Sequence, residues 1–163
     1  MKVLAIDPGN TQSAFVVFDG KNIIDKGKVN NDDLLSFSGK YDHVAIEMIA
    51  SYGMGVGQTV FDTCLWVGRF IERFAVTKNI KYTLVYRKDV KMFICHSMRA
   101  KDANIRQAVI DIFPPTGGGK IPQIGTKGKP GPLYGVSADI WAALGVAITW
   151  FNKHNIGGGL ICR

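Results

Sequence analysis

Three carboxylates stand where a solvated surface charge is not expected. Asp7 follows the apolar run Val3-Leu4-Ala5-Ile6, Glu47 follows Val44-Ala45-Ile46, and Asp139 precedes Ile140-Trp141-Ala142-Ala143-Leu144. A carboxylate buried without a partner is costly, by several kcal/mol, so each needs a compensating group. Convergence on a divalent cation would serve all three at once. Mg²⁺ takes hard oxygen ligands from a few carboxylates and leaves positions for water and phosphate. Each acid also has a plainer reading. Asp7, ahead of Pro8-Gly9, could be a turn former. Asp139, beside Ser137, could be a helix-N-terminal charge held by the dipole. Glu47 is the hardest to explain that way, because it interrupts an apolar strand.

The elements that must position these acids follow from the pattern. Residues 2–6 form a short apolar run that stops at Asp7-Pro8-Gly9-Asn10, a strand entering a turn. Residues 14–18 form a second strand, Asp19-Gly20 signals a hairpin, and residues 22–29 continue the meander. Residues 30–38 predict a short helix capped by Asn30 or Asn31, with Asp32 and Asp33 in its first turn. Residues 43–48 are a fourth strand, apolar enough to be buried on both faces.

After the flexible turn Gly53-Met54-Gly55-Val56-Gly57, the stretch from Gln58 to Val76 repeats Val60, Cys64, Val67, Ile71 and Phe74 at helical spacing. Residues 81–86 form a fifth strand, and residues 87–95 and 102–113 two more helices. Residues 114–135 are rich in Gly, Pro and Lys, a composition that fits a mobile linker or a loop that closes over a ligand. Ser137 is expected to N-cap a last helix over residues 138–154, and Gly157-Gly158-Gly159 forms a loose tail. The expected fold is α/β: a mixed five-stranded sheet, with a three-strand antiparallel meander, then parallel strands, and helices on both faces.

Composition bounds the rest. The 163 residues suit one domain over residues 1–163. Lys plus Arg is 20 against 13 for Asp plus Glu, a net charge of +7, which fits a polyanionic partner without proving one. No apolar stretch reaches the roughly 20 residues that span a bilayer. The opening residues lack the features of a signal peptide. Cys64, Cys95 and Cys162 are odd in number, widely spaced and without a Cys-x-x-Cys, which favours a reducing intracellular compartment.

Taken together, Ala5-Ile6-Asp7-Pro8-Gly9-Asn10-Thr11, Val44-Ala45-Ile46-Glu47 and Ala138-Asp139-Ile140-Trp141-Ala142-Ala143-Leu144-Gly145-Val146-Ala147 resemble the RuvC group of Holliday-junction resolvases, closest to its short phage-encoded members. The resemblance covers nearly the whole chain and implies an RNase H-like fold. It implies a crossover-junction endonuclease that resolves branched DNA with two divalent ions, Mg²⁺ or Mn²⁺, and no nucleotide cofactor. By position, Asp7 would bridge both ions, Glu47 would assist, and Asp139 would ligate from the last helix. The setting implied is the cytoplasm of a bacterial or phage-infected cell.

The cellular family carries a second aspartate one turn before the position of Asp139, where this chain has Val136. Asp102 could supply the missing carboxylate, or could simply N-cap its helix. His96 could also enter the site.

Arg87, Lys88, Lys91, Arg99, Lys101 and Arg106 cluster beside the expected carboxylates, where cations would offset repulsion of phosphate. Lys91 and Lys101 fall near basic residues of the family that approach the cleaved phosphate. In the relatives, the loop after the Glu47 strand lies at the junction centre, so Tyr52 or Met54 could wedge between bases. Lys120, Lys127 and Lys129 would bring charge to the DNA if their loop closes. A four-way junction has two symmetric cleavage sites, which suits a homodimer. The helix from Gln58 to Val76 is apolar on more than one face, as expected of a dimer contact or of a fully buried core helix. Two other classes compete. Sugar-kinase and actin-like ATPases share a similar first hairpin but need a second domain. A branched-DNA-binding module that has lost its chemistry would keep the fold.

Overall fold

The structure is a computed structural model and describes residues 1–51, 53 and 55–154. The Tyr52 and Met54 wedge, Cys162 and the Gly157-Gly158-Gly159 tail lie outside the described residues.

Five strands form the sheet: β1 (Val3–Asp7), β2 (Gln12–Phe18), β3 (Ile23–Asn30), β4 (His43–Met48) and β5 (Tyr82–Tyr86). Their spatial order is β3-β2-β1-β4-β5. The meander pairs are antiparallel, whereas β4 lies parallel to both β1 and β5. This is the mixed sheet that the apolar runs predict. β1 and β4 occupy its middle and bury both faces, as their near-continuous apolar sequences require.

Alternation along the strands separates two cores. Val3, Ala5, Ala14, Val16, Phe18, Ala45 and Val85 pack beneath α3 (Arg87–Cys95), α4 (Asp102–Ile112) and α5 (Ile140–Lys153). Leu4, Ile6, Phe15, Val17, Val44 and Ile46 face α1 (Asn31–Leu35) and α2 (Gln58–Ile71), which continues as a π-helical turn over Glu72–Val76. Asp7 and Glu47 therefore point, by the period of two, to the α5 side.

α5 is the deepest helix. Ten of its residues are buried, from Ile140 to Phe151. Midway along it, Gly145 faces α3 so closely that an added Cβ would lie 3.2 Å from Val90. No helix among the described residues is long and apolar enough to cross a membrane.

Several local expectations are corrected. Ser137 does not cap α5. The helix starts at Ile140 after Ala138 adopts a left-handed φ of 44°, and the Asp139 side chain makes no cap bond. Asn30 takes the N-cap position of α1 but makes no side-chain cap bond, and Asn31 is the first residue of the helix. Asn31 is instead buried and donates to the Gly9 carbonyl at 2.8 Å, while its Oδ1 accepts from Ser13 Oγ at 2.6 Å. Ser13 Oγ in turn accepts from the Gly9 N–H at 3.1 Å. The turn after Asp7 is thus tied down from two other segments.

Residues 114–135 form a folded loop rather than an unstructured linker. Gly117 N–H donates to Pro122, Gly118 N–H to the Lys129 carbonyl and Leu133 N–H to Gln123, and Leu133 is fully buried. A Cβ at Gly131 would lie 2.3 Å from the Pro122 carbonyl, so the backbone can pack this tightly only with glycine there. α2 is not buried all round, because Phe61 and Leu65 are exposed at 55% and 69%.

Candidate active site

Strand register builds the site. Ile6 pairs with Ile46 across the parallel β1–β4 ladder, so Asp7 and Glu47 come one step later on neighbouring strands, at the end where both chains leave the sheet. A cleft of about 200 Å³ opens there, lined by Asp7, Pro8, Glu47, Met48, Ile49, Ala50 and Arg87.

Burial dominates the electrostatics. The Asp7 carboxyl is pushed up from 3.8 to about 7, first by burial and then by the negative charges of Glu47 and Asp139. Arg87 and Lys28 pull the other way without cancelling the rise. Glu47 is also raised by burial, which outweighs the lowering by Arg87. Burial works to lower the Arg87 guanidinium, but the carboxylates of Glu47 and Asp102 more than offset it and hold the cation firmly charged. An acid at about 7 beside two like charges is a group poised for a cation or a proton.

Two basic side chains flank the acids. Arg87 is the first residue of α3. Its Nη1 lies 3.8 Å from Glu47 Oε2, an ion pair too long for a hydrogen bond, while its Nη2 binds Asp102 Oδ1. On the other flank, Lys28 Nζ pairs with Asp139 Oδ2 at 2.6 Å.

Whether a divalent cation suits these side chains can be judged from one atom. Glu47 Oε2 is buried and has no hydrogen-bond partner. An unsatisfied carboxylate oxygen at a cleft, next to a second buried carboxyl, is a fitting hard-oxygen donor pair. Asp7 and Glu47 therefore fit the metal expected there. Among the described residues, however, no three of His, Cys, Asp and Glu form a ready-made cluster. Asp139 is paired with Lys28, and Asp102 with Arg87. Asp102 is also not the N-cap of α4, a position taken by Lys101, whose N–H donates to Asn104 Oδ1 at 2.9 Å. Val136, where the resemblance places a further acid, is buried in the core at 7% exposure.

The remaining basic residues spread outward. Lys88 lies against Tyr86, and Lys91 sits on α3 half-buried. Arg99 and Lys101 are exposed between α3 and α4, and His96 ends α3 exposed with a φ of 52°. Arg106 stacks over Trp141, 5.0 Å from the ring, beside a 730 Å³ groove that Asp102, Gln107, Val136 and Ala138 also line. Lys120, Lys127 and Lys129 are exposed on the folded loop.

Sequence reasoning missed Lys28. The signal for it lies in pairing: the β2–β3 hairpin sets Lys28 opposite Ala14, which pairs with Asp7. It also treated Arg87 as one DNA-facing cation among several, not as the group between Glu47 and Asp102. The tie from Asn31 to Gly9 had no sequence signature at all.

A five-stranded mixed sheet in this order, with helices on both faces and acids at the ends of its two central parallel strands, is an RNase H-like architecture of the RuvC kind. The solved structures it is similar to include Thermus thermophilus RuvC, at 17% identity and a TM-score of 0.63, covering 95% of this chain and 97% of that one. The same protein in complex with a Holliday junction substrate aligns at 16% identity and a TM-score of 0.64, covering 94% and 96%. No family model matches the chain, and no curated protein matches its sequence. At such identities the likeness establishes the fold.

Proposed function

We propose that this chain is a metal-dependent, structure-selective endodeoxyribonuclease that resolves four-way junctions or related branched DNA. The observation that carries the reading is the pair of buried carboxyls, Asp7 and Glu47, with Glu47 Oε2 lacking a hydrogen bond at a cleft in a RuvC-like fold. Asp7 and Glu47 would hold the cations, Mg²⁺ or Mn²⁺ and two per site, with Asp139 joining from the start of α5. Asp102 is the fourth carboxylate in this reading, close to the site but held by Arg87. When bound, the ions supply an activated water and stabilise the leaving 3′ oxygen.

This chain's own residues do the rest. The Asn31–Gly9–Ser13 tie fixes the turn that follows Asp7. Arg87, Lys88, Lys91, Arg99, Lys101 and Arg106 offer cations to the DNA backbone, contacts that position without reading sequence. Tyr52 and Met54 would wedge the junction centre, and Lys120, Lys127 and Lys129 would approach the duplex from the folded loop. The exposed Phe61 and Leu65 of α2 support a homodimer through that helix, placing two sites on one junction. The protein would work on DNA in the cytoplasm, as one domain.

A second reading is a binding module of the same fold without cleavage. The buried Val136, together with carboxylates turned onto Lys28 and Arg87, favours it. One assay separates the two: synthetic four-way junction, Y-fork, flap and linear duplex, each with and without Mg²⁺ or Mn²⁺. The nuclease reading expects metal-dependent cutting of a branched substrate, abolished in Asp7→Asn with binding retained. Cutting that survives Asp7→Asn refutes the site, and no cutting of any substrate selects the binding module.

A further inference from the structure

β3 carries a lysine at the very edge of the site. Lys28 pairs with Ala14 on β2, and Ala14 pairs with Asp7 on β1, so the three residues form one row across the sheet. With strands about 4.8 Å apart, the Lys28 backbone stands roughly 10 Å from that of Asp7. The residue between them is alanine, too short to block a long side chain reaching along the face. Lys28 Nζ crosses that space and meets Asp139 Oδ2 at 2.6 Å.

The pair is open to water, with side-chain exposures of 36% for Lys28 and 52% for Asp139, so it can exchange partners without disturbing the core. It also consumes the carboxylate that a cation site would need. Asp139 lies close enough to Asp7 to raise its carboxyl, yet it does not complete a three-ligand cluster among the described residues.

We propose that Lys28 is the positioning residue for Asp139. It holds the carboxylate as an ion pair while the site is empty and releases it when a divalent cation loads, leaving an ammonium at the rim for a DNA phosphate. The inference rests on the reading of Asp7 and Glu47 as cation ligands. The exchange moves no proton and breaks no covalent bond.

Calorimetric titration of Mn²⁺ into the DNA-free protein tests this without any measure of activity. Lys28→Gln removes the competitor for Asp139 and is expected to tighten Mn²⁺ roughly fivefold. Lys26→Gln deletes an equal charge on the same strand, from a side chain that lies beside Gly135. It is expected to change affinity by no more than about twofold. Lys28→Arg keeps the pair and should bind as the parent does. In an Asp139→Asn background, the excess effect of Lys28→Gln over Lys26→Gln should vanish. Equal tightening by the two glutamine variants, or an excess that survives Asp139→Asn, would overturn the proposal while leaving the cation site standing. If the parent and Asp7→Asn give the same featureless titration, the cation site falls and the proposal with it.

Discussion

Replacing Asp7 by asparagine should make the cation-free protein more stable at alkaline pH, although it should destroy the site. The folded carboxyl sits at about 7 against an ordinary value of 3.8. Because the folded value is raised, the folded state binds more protons than the unfolded chain between those two values. The stability this confers is complete below 3.8 and is lost as pH rises through 7. Moving a carboxyl from 3.8 to about 7 sets about 4 kcal/mol against its ionised form in the fold. Repulsion shared with Glu47 and Asp139 could halve the part that one substitution recovers.

Asparagine keeps the shape and drops the charge, so at pH 8.5 in EDTA it should gain about 2–4 kcal/mol. That is roughly 5–15 °C in Tm for a chain of this size. By pH 5 most of the gain should be gone. Melting curves of both proteins across that range, with chelator present, measure it. Added Mg²⁺ should raise the Tm of the parent alone, since a ligand stabilises only the form it binds. An asparagine variant no more stable than the parent at pH 8.5, or a gain as large at pH 5, would refute the assignment of Asp7 as a buried, charge-frustrated acid.

Other outcomes follow from single contacts. Asn31→Ala should cost about 2–3 kcal/mol in urea unfolding, because it strips buried partners from both Ser13 and the Gly9 carbonyl. Gly131→Ala should disrupt the loop of residues 114–135, whose carbonyls leave no room for a methyl, and limited proteolysis should show new cuts between those positions. Leu65→Glu, at a position 69% exposed, should leave the protomer folded by circular dichroism and shift sedimentation from dimer to monomer. A folded variant that still sediments as a dimer would rule out α2 as the contact.

The sheet was legible because its strands advertise themselves. Val3 to Ile6 and Val44 to Ile46 are apolar enough that only burial on both faces explains them, and Asp19-Gly20 marks the hairpin between β2 and β3. Asp7 and Glu47 were legible for the same reason, as charges at the ends of apolar runs. What escaped depends on contacts distant in sequence. Lys28 looks like any edge-strand lysine until the register sets it two strands from Asp7. Asn31 looks like a helix cap, but its amide is captured by a turn 22 residues away. Asp139 does stand at the N-terminus of α5, where a charge of its sign belongs, but its pairing with Lys28 depends on a strand more than a hundred residues away. The loop of residues 114–135 has the composition of a linker, and only its glycine–carbonyl packing reveals a fold.

Gly145 gives the site a calliper. It lies six residues along from Asp139, about 9 Å at the rise of an α-helix, and its bare α-carbon lets α5 rest against Val90 of α3. α3 begins at Arg87 and α5 begins just after Asp139, so the helices that carry these two residues are spaced in part by this close approach. A methyl there would oblige Val90 to give way by a few tenths of an ångström, so the seat of α5 on α3 is sensitive to this position. The relative placing of Arg87 and Asp139 thus depends in part on a residue that has no side chain and touches neither of them.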